Sequence, residues 1–142
     1  VRAGGVDVAR KCRYPRVASS SVVAGSKMNT WHPRPEYQGY RGVLHGGLSA
    51  TVLDKVIGYA SILLAGIWAA TATMDVRYRA QVPYDAPLPL VAGLTDTRGR
   101  RVRAWSRLHL PSGEVGAEAT ALLVALPENL ATRARELYGP MA

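Results

Sequence analysis

From Leu48 to Trp68 the chain runs through twenty-one residues that hold one acid, Asp54, and one base, Lys55, among side chains otherwise small, apolar or aromatic. That run limits the folds open to it. Wound as a helix, it joins Gly47, Thr51, Asp54, Gly58, Ser61 and Ala65 into one thin stripe whose members are all small or polar. Leu48, Val52, Leu53, Val56, Ile57, Ile62, Leu63 and Leu64 crowd the remaining circumference. A helix apolar around most of its girth has to be enclosed, and the thin stripe is where a ligand can lie against it. Extended to Ala70, the stretch is about as long as a membrane span, which takes about 20 apolar residues. Adjacent charges at Asp54 and Lys55 are costly in hydrocarbon, so the run reads as the buried helix of a soluble protein, with no membrane partner.

Past the helix the period changes to two. Ala72, Met74, Val76 and Tyr78 alternate with Thr71, Thr73, Asp75, Arg77 and Arg79, the pattern of a half-buried strand. Leu88 to Thr97, Arg101 to Leu110 and Val115 to Leu126 read as three further strands. Arg98-Gly99 and Pro111-Ser112-Gly113 mark turns short enough for antiparallel hairpins. Ahead of the helix, a strand is expected within Val22 to Trp31, followed by a break at His32-Pro33-Arg34-Pro35 and a glycine-containing loop. Residues 1–21, with Gly4-Gly5, Pro15 and three consecutive serines, read as a loosely ordered arm. Residues 22–126 read as the folded domain, and 127–142 as a C-terminal helical tail ending at Gly139-Pro140. The class is α+β. An all-round apolar helix and the antiparallel sheet that follows it bury each other best when the sheet curls about the helix. One such unit leaves a sheet edge and a side of the helix open, which predicts a homodimer or a homotetramer built as a dimer of dimers.

The 142 residues suit one domain. With 48% hydrophobic and 20% charged residues, the composition excludes a mainly disordered chain. Eighteen Lys and Arg against ten Asp and Glu give a net charge of +8 and favour anionic partners. No recognition helix, zinc spacing or aromatic RNA-binding motif accompanies that charge, so nucleic acid is not among the expected partners. A single cysteine, Cys12, allows no internal disulfide and no Cys-based metal site, and no apolar run occupies the first thirteen residues. Together these place the chain in the cytoplasm, with no metal and no cofactor expected.

The segment from Glu36 to Asp54, EYQGYRGVLHGGLSATVLD, resembles the signature of the hotdog-fold thioesterase superfamily, in its phenylacetic-acid-pathway, 4-hydroxybenzoyl-CoA thioesterase-like type. The likeness rests on a glycine-containing loop, His45-Gly46-Gly47, a helix, and an acid nine positions after the histidine. The strand TATMDVRYRAQVP, Thr71 to Pro83, is similar to the strand that follows the helix in that family, and the whole likeness spans Trp31 to Leu126. It implies the hotdog fold, a long central helix wrapped by a curved antiparallel sheet, and an acyl-CoA substrate. It also implies an active site whose glycine and acid come from different subunits, with Thr71 positioning the water and Thr73 as its alternative. Gln38, one residue further upstream than in those relatives, stands where they hold the substrate carbonyl. Lys55 departs from the family where many members carry a second acid, and Gln81 where a proline is common.

Thioester hydrolysis needs a carbonyl polarised toward an oxyanion and an attacking oxygen made nucleophilic. Gly46, at the helix mouth, offers an unpaired backbone N–H at the positive end of the helix dipole and no side chain to bar a carbonyl. Asp54, the one acid on the small-residue stripe, serves either as general base toward a water or as the nucleophile itself. His45 and Gly47 are read as site architecture, a histidine at a helix start more commonly ordering its loop than abstracting a proton. Arg77, Arg79, Arg100, Arg101, Arg103 and Arg107 recur along adjoining strands, chiefly as a solvated face, with coenzyme A phosphates as partners for some. A non-catalytic acyl-CoA-binding module, sensor or carrier, is the alternative, against which stands Asp54, since a binder needs no buried acid. A hotdog dehydratase is disfavoured because Gly42-Val43-Leu44 runs into His45-Gly46-Gly47 with no acid following closely.

Overall fold

The computed structural model describes residues 17–23 and 26–139, with side chains from residue 29 onward. Of the arm expected over 1–21, residues 1–16, Cys12 included, lie outside the described residues. In chain order the elements are β1 (Val17–Val23), β2 (Ser26–Trp31), a single 3-10 turn at Pro35–Tyr37, α1 (Gly46–Ala65), β3 (Ala69–Tyr78), β4 (Leu88–Arg98), β5 (Arg101–His109), β6 (Val115–Ala125) and α2 (Glu128–Tyr138).

The apolar run folds as expected into one helix of 20 residues. Gly66 ends it: at φ 68° it takes a left-handed conformation that costs glycine nothing, and its N–H bonds back to the Ile62 carbonyl. All six strands join one antiparallel sheet in the order β1-β2-β4-β5-β6-β3. Helix α1 lies on one face of it, against β2 to β6. By length and composition α1 would pass for a membrane span; its packing against five strands is that of a core helix.

The core sits between helix and sheet. Val52, Leu53, Val56, Ile57 and Ala60 of α1 are buried against Leu88, Leu90 and Ala92 of β4, Val102, Ala104 and Leu108 of β5, and Ala117, Ala119, Ala121 and Leu123 of β6. Bulky side chains face the helix from β4 and chiefly small ones from β6, so the contact surface is stepped. A buried polar tie crosses it: the Ser106 hydroxyl donates to the Leu53 carbonyl at 3.1 Å. The α+β hotdog arrangement expected from the sequence is therefore the fold observed.

Two details differ from the sequence reading. A single strand was expected within 22–31, whereas the segment forms a hairpin, β1 and β2, whose first strand starts at Val17 and takes in the serine run. Ser19-Ser20-Ser21 carries no apolar period to betray a strand, and β1 is held by backbone pairing at the edge of the sheet. The strict alternation read from Thr71 onward is also broken, by an irregularity between Thr71 and Thr73 that places one extra residue, Ala72, in β3.

Because Leu53 is fully buried where helix and sheet meet, Leu53→Ala is expected to destabilise the fold by about 2–5 kcal/mol, read as a lowered urea midpoint at unchanged slope.

Candidate functional site

The loop before α1 is built to present the helix mouth. Tyr37, buried and stacked on Trp31, offers its carbonyl to the His45 N–H at 2.7 Å, and the Leu44 N–H bonds to the Val82 carbonyl at 2.8 Å. Gln38 completes the loop: its side-chain N–H₂ donates to the Pro35 carbonyl at 3.0 Å, and its oxygen accepts the Gly42 N–H at 2.8 Å. The Gln38 amide is thus engaged with its own loop, and this geometry makes it a loop-ordering group; it does not line the cleft described below.

His45 is the N-cap of α1, its Nδ1 accepting the Gly47 N–H at 2.9 Å. Acceptance at that atom uses the Nδ1 lone pair. The ring thus orders the first turn of the helix, with Gly47 supplying the capped amide. The Gly46 N–H, in the first turn, has no acceptor among the described residues. Gly46 opens onto a cleft of about 320 Å³ lined also by Val43, Leu44, Ser49, Tyr78 and Val82. The Tyr78 hydroxyl donates to the Gly46 carbonyl at 2.8 Å.

Two turns along α1 lies the acid. Asp54 is half-buried, and its Oδ1 accepts the Thr71 hydroxyl at 2.7 Å. Its other oxygen has no partner among the described residues. Thr71 reaches Asp54 because of the bulge in β3: Thr71 pairs in register with Leu123, a buried residue facing the helix, while Thr73 pairs with Leu122. The extra residue turns Thr71 to the inner face, where strict alternation would have put Ala72. Thr73, named as the alternative, lies on the outer face in a shallow depression with Asp75, Arg103 and Thr120, away from Asp54. Gly58, one turn past Asp54, faces open space: a Cβ there would meet nothing within 4 Å.

Most of the arginines line the outer face. Arg79 holds the Glu118 carboxylate at 2.6 and 3.1 Å and depresses its pKa, with Arg107 nearby at 4.0 Å, while Arg77 pairs with Asp75 at 3.5 Å. Tyr78 and Ser49 escaped the sequence reading as site residues. Tyr78 was read as one of the alternating positions of a half-buried strand, and Ser49 was not singled out. The available signal was a phenol, apolar with a polar tip, at the strand end nearest the helix mouth.

Comparison with known proteins places these features. The thioesterase superfamily pattern matches residues 41–117, more than half of the chain. Acyl-coenzyme A thioesterase THEM4 of Xenopus laevis is 28% identical over 97 residues, covering 68% of this chain and 43% of that protein. A thioesterase superfamily protein of known crystal structure superposes with a TM-score of 0.66 at 32% identity, over 70% of this chain and 49% of the other. A protein of Streptococcus mutans, solved bound to acetyl CoA, superposes with a TM-score of 0.69 at 20% identity, over 78% of this chain and 92% of its own. The chain thus spans less than half the length of the frog thioesterase and about half that of the first structure.

Since the His45 ring replaces one lost helical bond, His45→Ala is expected to cost about 1 kcal/mol in urea unfolding, and His45→Asn, a good N-cap, to recover most of it.

Proposed function

This chain belongs to the thioesterase superfamily, and from that premise we propose that it hydrolyses an acyl-coenzyme A thioester to the free acid and coenzyme A, as a member of the phenylacetic-acid-pathway type. The acetyl CoA bound in the Streptococcus mutans structure and the activity named for the frog relative agree with that substrate class. The observation that carries the reading is the Thr71–Asp54 hydrogen bond. It fixes one carboxylate oxygen of an acid on the open side of the helix and leaves the other to act.

In the proposed reaction the thioester carbonyl docks on the Gly46 N–H, which stabilises the oxyanion formed on attack. The unbonded Asp54 oxygen either takes a proton from the attacking water or attacks the carbonyl itself, giving an anhydride that water then opens. Collapse of the tetrahedral intermediate expels coenzyme A as the thiolate, which takes up a proton. Within one chain Gly46 and Asp54 are eight residues apart on a helix, about 12 Å at about 1.5 Å per residue. No single carbonyl reaches both. A shared site therefore calls for Gly46 of one copy and Asp54 of another, which is the reason for proposing at least a homodimer with two sites.

Thiol release from a panel of acyl-CoAs tests this. Asp54→Ala is expected to lose about 100-fold or more in turnover, and Thr71→Val, which keeps the shape but not the donor, roughly tenfold. Unchanged turnover in Asp54→Ala would remove that residue from the mechanism. Tight acyl-CoA binding with no turnover on any thioester would make the chain a binding module, and a mass in solution equal to one chain would exclude the shared site.

A further inference from the structure

We propose that Tyr78 is a positioning residue that aims the Gly46 N–H by clamping the peptide next to it. The inference rests on the reading of Gly46 as oxyanion donor and adds a residue to that machinery. The peptide between Gly46 and Gly47 is held at both ends. Its carbonyl accepts the Tyr78 hydroxyl at 2.8 Å, and its N–H donates to His45 Nδ1 at 2.9 Å. Two consecutive glycines without Cβ atoms are otherwise free to choose among many backbone conformations. Fixing the plane that follows Gly46 restricts rotation about its Cα, and with it the direction of the Gly46 N–H.

The contact also leaves little room for a side chain at residue 46. A Cβ built there would lie 3.3 Å from a ring carbon of Tyr78 and 3.5 Å from its hydroxyl oxygen, while the same ring helps wall the cleft onto which Gly46 opens. Tyr78 is therefore doubly matched to its neighbour, with the ring filling the missing side chain's place and the hydroxyl holding the carbonyl. The phenol comes from the end of β3 and the glycine from the start of α1, so the clamp sets the helix mouth relative to the strand that carries Thr71. Tyr78 is 55% exposed, so its hydroxyl bond contributes little to global stability, and loss of the bond shows in the reaction more than in unfolding.

The test compares wild type with Tyr78→Phe, which keeps the ring, and Tyr78→Leu, which removes both ring and hydroxyl. In thiol release from acyl-CoA, Tyr78→Phe is expected to lose roughly tenfold in kcat with KM changed less than about twofold, the pattern of an interaction used only in the transition state. Tyr78→Leu is expected to lose at least as much. Wild-type kcat in Tyr78→Phe, or a rise in KM at constant kcat, would overturn the proposal. A second measurement does not depend on activity. Hydrogen exchange at the Gly47 amide is expected to speed up about fivefold in Tyr78→Phe while buried amides of α1 keep their protection, and unchanged exchange at Gly47 would overturn the clamp. If wild type turned over no thioester yet showed the exchange effect, the hydrolase reading would fall and the clamp would stand.

Discussion

Everything in this structure follows from the need to bury a helix that is apolar almost all round with a sheet that reaches only one side of it. Val52, Leu53, Val56, Ile57 and Ala60 turn to the sheet and disappear from solvent. Thr51, Asp54 and Gly58 fall on the other side and stay half-exposed. That boundary decides where a carboxylate can sit. Placed among the buried residues, Asp54 would have to be neutralised or fully paired, because an isolated charge is very costly in an apolar interior. On the boundary it needs only the Thr71 hydroxyl, and one oxygen is left for chemistry. The candidate site lies where the core ends.

A second constraint is register. Side chains in a strand alternate between faces, so one extra residue exchanges inside and outside on one flank of a bulge. Beyond the bulge, Met74 and Val76 pack toward the core, and Thr73 and Asp75 face outward. Before it, Thr71 faces inward beside Asp54. A regular strand would have set Ala72 against the acid, with no hydroxyl to offer. The irregularity thus supplies the group that orients the carboxylate.

How much of this was legible in the sequence depends on which force fixed each part. The helix, its small-residue stripe and the three later strands were legible because burial imposes periods of 3.6 and 2 on the residues themselves. His45, Gly46 and Asp54 were legible as a spaced set, and in the structure the His45 ring caps the helix. The inward turn of Thr71 was not legible from periodicity, since nothing in TATMDVRY marks which residue is extra, and only resemblance to a family pointed to it. β1 was missed because backbone pairing at a sheet edge needs no apolar pattern. Gln38 was assigned to the substrate on family likeness; in the structure its amide, directly after the turn that begins at Pro35, bonds within its own loop. Tyr78 was overlooked because alternation accounts for its ring and is silent about its hydroxyl.

The two halves of the candidate chemistry, an open amide at the start of α1 and an oriented acid two turns later, are too far apart to act together within one chain. The same molecule leaves one edge of its sheet open at β3. β3 ends the sheet, so along its ten residues one flank of backbone N–H and C=O groups lacks a neighbouring strand among the described residues. A bare edge of that length is a liability that proteins normally cover. Its first half carries small residues, Ala70, Thr71, Ala72 and Thr73, all exposed, so a strand can approach closely, and Asp75 and Arg77 on the same strand supply opposite charges for an antiparallel copy of itself. The exposed edge, the half-open helix and the divided site are three deficits of one chain, and the proposed pairing of two chains would relieve all of them by a single contact.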